Sequence, residues 1–397
     1  MTRRPILAFI ALVAMSASAH AQSTTPSSQA TVQDIVTFLV TNQGVATSDF
    51  DKDRAAADAT RQTLSNALLA SIATVPVSSS SSGFSYRLNP SIGTVERASQ
   101  TFGPFYVERA LTTGAGQASL GFTLQYAQFS SLDGNNLRDG SFVTVANQFA
   151  DEPAPFDTET LTLDVKTRTA MFVGNVGITN RIDIGTAVPL VRLDISGSRV
   201  NDYRGDALLQ ARATAETTGL GDIAVRSKVR LTPDGPGALT AGVEVRLPTG
   251  REDDLLGTGE VAVRLTGLAS YEAGVTSVYG NVAIGTGGIG REIAYSGAVA
   301  VAATSRLTLV GELLARQSDG LERIGSISAP HPRIAGVNTI RLIPTGETEM
   351  TAFGVAGIKW NVAGTWLVHA HVLMPVVQHG LTADFTPTVA IEHTFSR

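Results

Sequence analysis

The chain has 397 residues, 43% of them hydrophobic and 16% charged, with 30 Lys and Arg against 35 Asp and Glu, 39 Gly and no Cys. That acidic balance excludes the basic footprint of a nucleic-acid partner, and the apolar content excludes a disordered tail. A mean hydropathy of +0.13 is high for a soluble protein. No segment beyond the N-terminus offers the roughly 18 uncharged apolar residues of a membrane helix, so a β-barrel membrane protein stays open.

Arg3 and Arg4 precede the apolar run Ile6 to Ala14, and Ala19-His20-Ala21 supplies a small-x-small cleavage site. This layout predicts a cleaved signal peptide over 1–21, a mature start at Gln22 and export. Residues 22–100 read as a helical segment with a linker. Val32, Ile35, Val36, Leu39 and Val40 follow helical spacing behind Thr31, a candidate N-cap. Ala55 to Ile72 is Ala-rich with Leu64, Leu68 and Ile72 on one face, and Ser78 to Ser82 reads as a flexible linker. Asp49, Asp51 and Asp53 begin like a calcium loop, but Arg54 and Thr60 stand where Gly and Glu are needed, so they are better read as first-turn acids. The segment is either a periplasmic extension or a plug.

Residues 101–397 read as an all-β, antiparallel transmembrane barrel, because apolar positions recur every second residue from about 117 onward. Twelve strands are predicted, near 117–130, 159–174, 181–198, 220–232, 238–248, 258–272, 275–286, 293–303, 306–317, 349–362, 365–377 and 385–395. Their connections alternate long and short, as in outer-membrane barrels. The apolar face of the third strand shifts from Ile182, Ile184, Val188 and Leu190 to Val191, Leu193 and Ile195, which predicts a bulge near Pro189. Tyr271, Trp360, Trp366 and Phe395 all fall on lipid-side positions beside short turns or at the chain end, the pattern of an aromatic girdle at the periplasmic rim.

Opposite the apolar faces lie Lys166, Arg168, Arg226, Lys228, Arg230, Glu244, Arg246, Glu260, Arg264 and Glu312, with His369 and His371 on one strand face. All twelve are expected to line the lumen, as charge ladders or as a polar path for solutes. Two histidines fall short of a metal site. Gly285, Gly287 and Gly290 match G-x-G-x-x-G, but they sit among hairpins where the motif needs a strand and a helix. No G-x-S-x-G occurs, and no His has Ser two residues later. The expectation is therefore no catalytic, cofactor or metal residues.

Leu220-Gly221-Asp222, Leu247-Pro248-Thr249-Gly250, Leu255-Leu256-Gly257-Thr258-Gly259 and Gly280-Asn281 resemble the turn signatures of the outer-membrane proteins grouped as the MetA-pathway of phenol degradation family, over roughly 160–395. The resemblance implies a transport-type barrel, linked in some members to aromatic catabolism. The final Ser396-Arg397 departs from the usual terminal aromatic. The expected function is a channel or transporter for small molecules, with aromatic or apolar compounds as candidates; a structural or adhesive barrel and a lipid-modifying enzyme are the alternatives. Expected partners are outer-membrane lipid, small solutes and the outer-membrane assembly machinery, with no cofactor.

Overall fold

The computed structural model describes residues 30–40, 63–72, 76–80, 83–84, 86–89, 94–331 and 334–395. Residues 1–21, expected as a leader, and the Asp49 to Asp53 run lie outside the described residues. Among the described residues twelve wall strands form a closed antiparallel barrel. In order they are Ala118–Leu132, Asp157–Gly177, Ile182–Tyr203, Asp206–Leu220 continued by Ile223–Arg230, Gly237–Leu247, Ala262–Ala273, Thr276–Gly287, Glu292–Ala302, Leu307–Pro330, Val337–Ala363, Trp366–Val377 and Thr386–Phe395. Thr386–Phe395 pairs back onto Ala118–Leu132, from Thr388 opposite Gln125 to Phe395 opposite Ala118, and this closes the ring. Through the membrane-spanning part of the wall each strand is paired on both sides, the requirement for a sheet in lipid, whereas beyond it Asp206–Leu220 pairs only with Ile182–Tyr203.

The outward face identifies the surrounding solvent. Leu120, Leu124, Phe172, Ile184, Leu220, Val225, Leu239, Leu265, Val282, Leu309, Ile358, Met374 and Val389 are all exposed. An apolar belt this continuous around a barrel is a membrane-facing surface. At the short-turn end Gly274 and Gly364 take φ of 63° and 52°, so glycine allows two-residue reversals there without a Cβ clash.

Three expected connections hold strand: Phe142–Phe149, within 131–158, pairs with Asp157–Gly177 and Val337–Ala363, and two others are strand over most of their length. Residues 199–219 extend two wall strands to a tight hairpin at Arg204 and Gly205, and 318–348 extend Leu307–Pro330 and Val337–Ala363 beyond the membrane. Their alternation fades in the sequence because water lies outside them, and polar residues are tolerated on that face. The expected bulge near Pro189 is also absent: pairing runs in unbroken register from Asp157 opposite Tyr203 to Gly177 opposite Asp183. What changes at Pro189 is the environment, because Ile184 and Leu190 meet lipid whereas Leu193 and Ile195 are buried against the interior.

The interior is filled by the N-terminal segment. Helix Val32–Val40 packs on the inward faces of Ile182–Tyr203 and Asp206–Leu220. With helical residues 63–72 it joins a buried cluster that includes Leu39, Leu64, Leu68, Phe129, Leu163, Leu193, Ala213 and Leu381. Thr31 caps the first helix: its Oγ1 accepts from Asp34 N at 3.2 Å, and Asp34 Oδ2 accepts from Thr31 N at 2.9 Å. The division at residue 101 therefore moves, since 99–113 lie inside the barrel and the first wall strand starts at Ala118.

Candidate functional site: the plugged lumen

Strand parity carries the polar residues inward. Arg226, Lys228 and Arg230 alternate with Val225 and Val229, which are exposed to lipid. Arg226 donates to Glu244 Oε2 at 2.7 Å, to Glu108 Oε1 at 3.1 Å and to the Ser78 carbonyl at 2.7 Å. Lys228 Nζ donates to the Arg109 carbonyl at 3.0 Å and stands 3.7 Å from Glu108 and 3.9 Å from Asp183. Arg246 donates to Glu244 Oε1 at 2.9 Å, and Arg264 to Glu292 Oε1 at 2.6 Å. Arg230 turns toward the short-turn end, donating to Asp234 at 2.5 Å and to the Pro233 carbonyl. Buried charges need partners at this level of satisfaction, since a lone one would cost several kcal/mol.

The chain that meets these charges is the plug. Glu312 accepts from three successive backbone N–H groups, those of Phe105, Tyr106 and Val107, the last two at 3.0 Å. Hydrogen bonds to a charged acceptor contribute about 1.5–3 kcal/mol each, so this carboxylate is a strong latch on an otherwise irregular segment. Lys359, fully buried, donates to the Pro104 carbonyl at 2.8 Å and lies 4.9 Å from the Phe105 ring centre. His369 and His371 are buried on the inward face; the Phe105 ring stacks on His371 with centroids 4.1 Å apart, and the Tyr106 hydroxyl is 3.0 Å from His371 Nε2. Small inward residues, Ala298 and Ala300, make room for Phe105 and Val107.

Ser79 and Ser80 do not form a free linker. Both are buried: Ser80 N donates to Glu108 Oε1 at 2.7 Å, and both hydroxyls reach Glu108 Oε2. A serine run is compatible with a linker in sequence, but here its donors serve a carboxylate that would otherwise be undersatisfied.

Three expected lumen residues stand elsewhere. Lys166 and Arg168 share outward parity with Phe172 and Val176, whereas Leu163, Val165 and Thr167 of the same strand are buried. Period two separates faces but does not say which is inside, and above the membrane the apolar face is the inner one because the helices fill the mouth. Glu260 lies exposed in the 248–261 connection, before strand Ala262–Ala273 begins. Tyr271, Trp360, Trp366 and Phe395 are all exposed on the outward face toward the short-turn end.

Three of the motifs that carried the family resemblance, at 220–222, 247–250 and 255–259, converge at one corner of the mouth, while Gly280-Asn281 lies within strand Thr276–Gly287. Asp222 accepts from Gly250 N at 3.0 Å and from Thr258 N at 2.9 Å. Gly250 and Gly257 pack so closely that a Cβ on either would lie 2.7 Å from the other's Cα. The loop thus folded inserts Leu255 and Leu256 into the plug cluster, and Asp254 Oδ1 accepts from Val32 N at 3.3 Å, at the start of the first helix. These residues clamp the plug. Sequence reasoning missed Glu108, Arg109, Lys359, Asp183 and Glu292; alternation against Ile358 and Trp360 could have found Lys359, but the 99–113 segment has no period to read.

No family model and no curated relative matches the sequence. Solved structures do. The COG4313 outer membrane channel from Pseudomonas putida F1 is 14% identical, with 72% of this chain and 98% of that one covered at a TM-score of 0.46. The KdgM porin in complex with disordered oligogalacturonate is 7% identical, covering 70% and 99% at 0.39, and the NanC porin is 7% identical, covering 70% and 99% at 0.35. At such identity the likeness concerns the barrel fold alone, and the phenol-degradation family remains a resemblance carried by turn residues.

Proposed function

We propose that the chain is an outer-membrane channel for small molecules, held narrow by its own N-terminal segment. The observation that carries this reading is the space left between that segment and the wall. One cavity of about 190 Å³ meets another of about 120 Å³, the two sharing Val77, Tyr106, Arg246, Arg264, Ala294 and Ser296 in their linings. Phe129, Phe353 and Leu373 line one side of the larger cavity, and Arg246 and Arg264 another. A concave, mainly apolar site with a few placed charges selects solutes of matching character, here an apolar body with an anionic end. The membrane-facing belt and the signal-like leader support residence in the outer membrane, with the short turns in the periplasm.

Uptake into liposomes tests this. Benzoate is expected to enter faster than benzyl alcohol, and the double variant Arg246→Gln with Arg264→Gln to erase that difference. A barrel that passes neither solute and gives no conductance in planar bilayers would favour a structural or adhesive role, and released fatty acid would favour a lipid-modifying enzyme.

A further inference from the structure

Lys166, Arg168 and Arg192 serve neither lumen nor plug, and their place on the outer wall is specific. Hydrogen-bond register puts Leu124, Ala170, Leu190 and Leu220 in one outward row across four strands. Three of these are exposed apolar residues of the lipid belt. The next row toward the long-loop end is Tyr126, Arg168, Arg192 and Thr218, and the one after it is Gln128, Lys166, Asp194 and Glu216. The row that touches the belt thus holds two arginines side by side and no carboxylate.

Like charges directly opposite in an antiparallel pair destabilise it. Asp194 relieves both arginines, at 3.1 Å from Arg168 and 3.5 Å from Arg192, and Glu216 reaches Arg192 at 2.6 Å. One carboxylate is thereby divided between two guanidinium groups, and the arginine side chains remain 54% and 43% exposed. Their donor forks fit tetrahedral oxyanions bidentately. A tyrosine in the same row is the usual companion of an interface where one end of the ring is apolar and the other wet.

We propose that Arg168 and Arg192 bind the phosphate of a phosphorylated glycolipid headgroup in the leaflet at the long-loop end. The acyl chains of that lipid would lie on Leu124, Leu190 and Leu220 while its phosphate sits one strand row higher. The identity of the leaflet rests on the outer-membrane reading above; the cationic row itself does not.

The test uses the full-length protein in detergent micelles, titrated with lipopolysaccharide and followed by native mass spectrometry. Wild type should retain the glycolipid, and Arg168→Gln with Arg192→Gln should weaken retention at least tenfold, while Arg323→Gln, higher on the long-loop end, should not. Enzymatically dephosphorylated lipopolysaccharide should bind wild type as weakly as the intact lipid binds the double variant, an arm that needs no mutation. Equal retention by wild type and double variant, or no effect of dephosphorylation, overturns the proposal. Displacement by equimolar inorganic phosphate also overturns it, since the site would then be one for free anions. Conductance measured on the same preparations separates the two readings: glycolipid retention without any conductance would sink the channel and leave this site standing.

Discussion

The membrane-embedded wall and its long-loop rim use the same two-residue alternation in opposite senses. In the embedded part of strand Asp157–Gly177, Phe172 and Val176 face lipid while Thr169 and Asn175 are buried inside; nearer the rim, Leu161, Leu163 and Val165 are the buried residues and Lys166 and Arg168 face out. The register does not slip between the two. What reverses is the order of solvents, lipid outside and polar plug inside in one region, water outside and packed helices inside in the other. A hydrophobic pattern reports contrast between two faces, and the surroundings decide which face is the interior.

Four substitutions bear on this comparison. Arg226→Ala in the embedded region should do the most damage, because it removes the guanidinium that joins Glu108 of the plug to Glu244 of the wall; breaking a buried pair costs about 3–5 kcal/mol. The expected result is a barrel that keeps its heat-modifiable migration but loses its plug, seen as raised conductance and new proteolysis within 76–113. Leu193→Ala at the rim removes a fully buried side chain from the plug cluster, at about 2–5 kcal/mol. Proteolysis should then begin in the helices, with the 99–113 stretch still protected. Val225→Arg places a cation on the lipid face at about 2–4 kcal/mol; refolding yield into bilayers should fall while yield in detergent is kept. Lys166→Gln should be nearly silent in all these assays, since its exposed pair with Asp164 contributes about 0–1 kcal/mol. A loss of folding on Lys166→Gln as large as on Arg226→Ala would return Lys166 to the interior and undo the comparison.

The strand Ile223–Arg230 was legible because it crosses lipid along its whole length, so Val225 and Val229 could only point outward. The closed barrel and its twelve strands follow from many such segments and their turn spacing. Lys166 and Arg168 were not legible, since their strand passes from one set of solvents to another without any mark in its alternation. The plug latch was hidden for a different reason. Phe105 to Val107 bind Glu312 through backbone N–H groups, which any residue but proline supplies, and so the side-chain sequence carries no trace of the contact. Asp222 lies between these cases: its motif was visible, while its task of shaping the loop that holds helix Val32–Val40 depends on Gly250 and Gly257 meeting across a fold.

The latch also imposes an order in time. Phe105 and Glu312 are 207 residues apart, and Phe102 reaches Thr308 across 206. The plug precedes every wall strand, yet the partners of its 102–107 stretch, Thr308, Glu312 and Lys359, lie in the second half of the ring, and the ring itself closes only when Thr386–Phe395 meets Ala118–Leu132. Contacts of such separation form late, after a large loop-closure entropy has been met. The 102–107 stretch, which precedes the whole wall in sequence, is thus held by strands that follow it by some two hundred residues, so its docking requires the second half of the ring to be present.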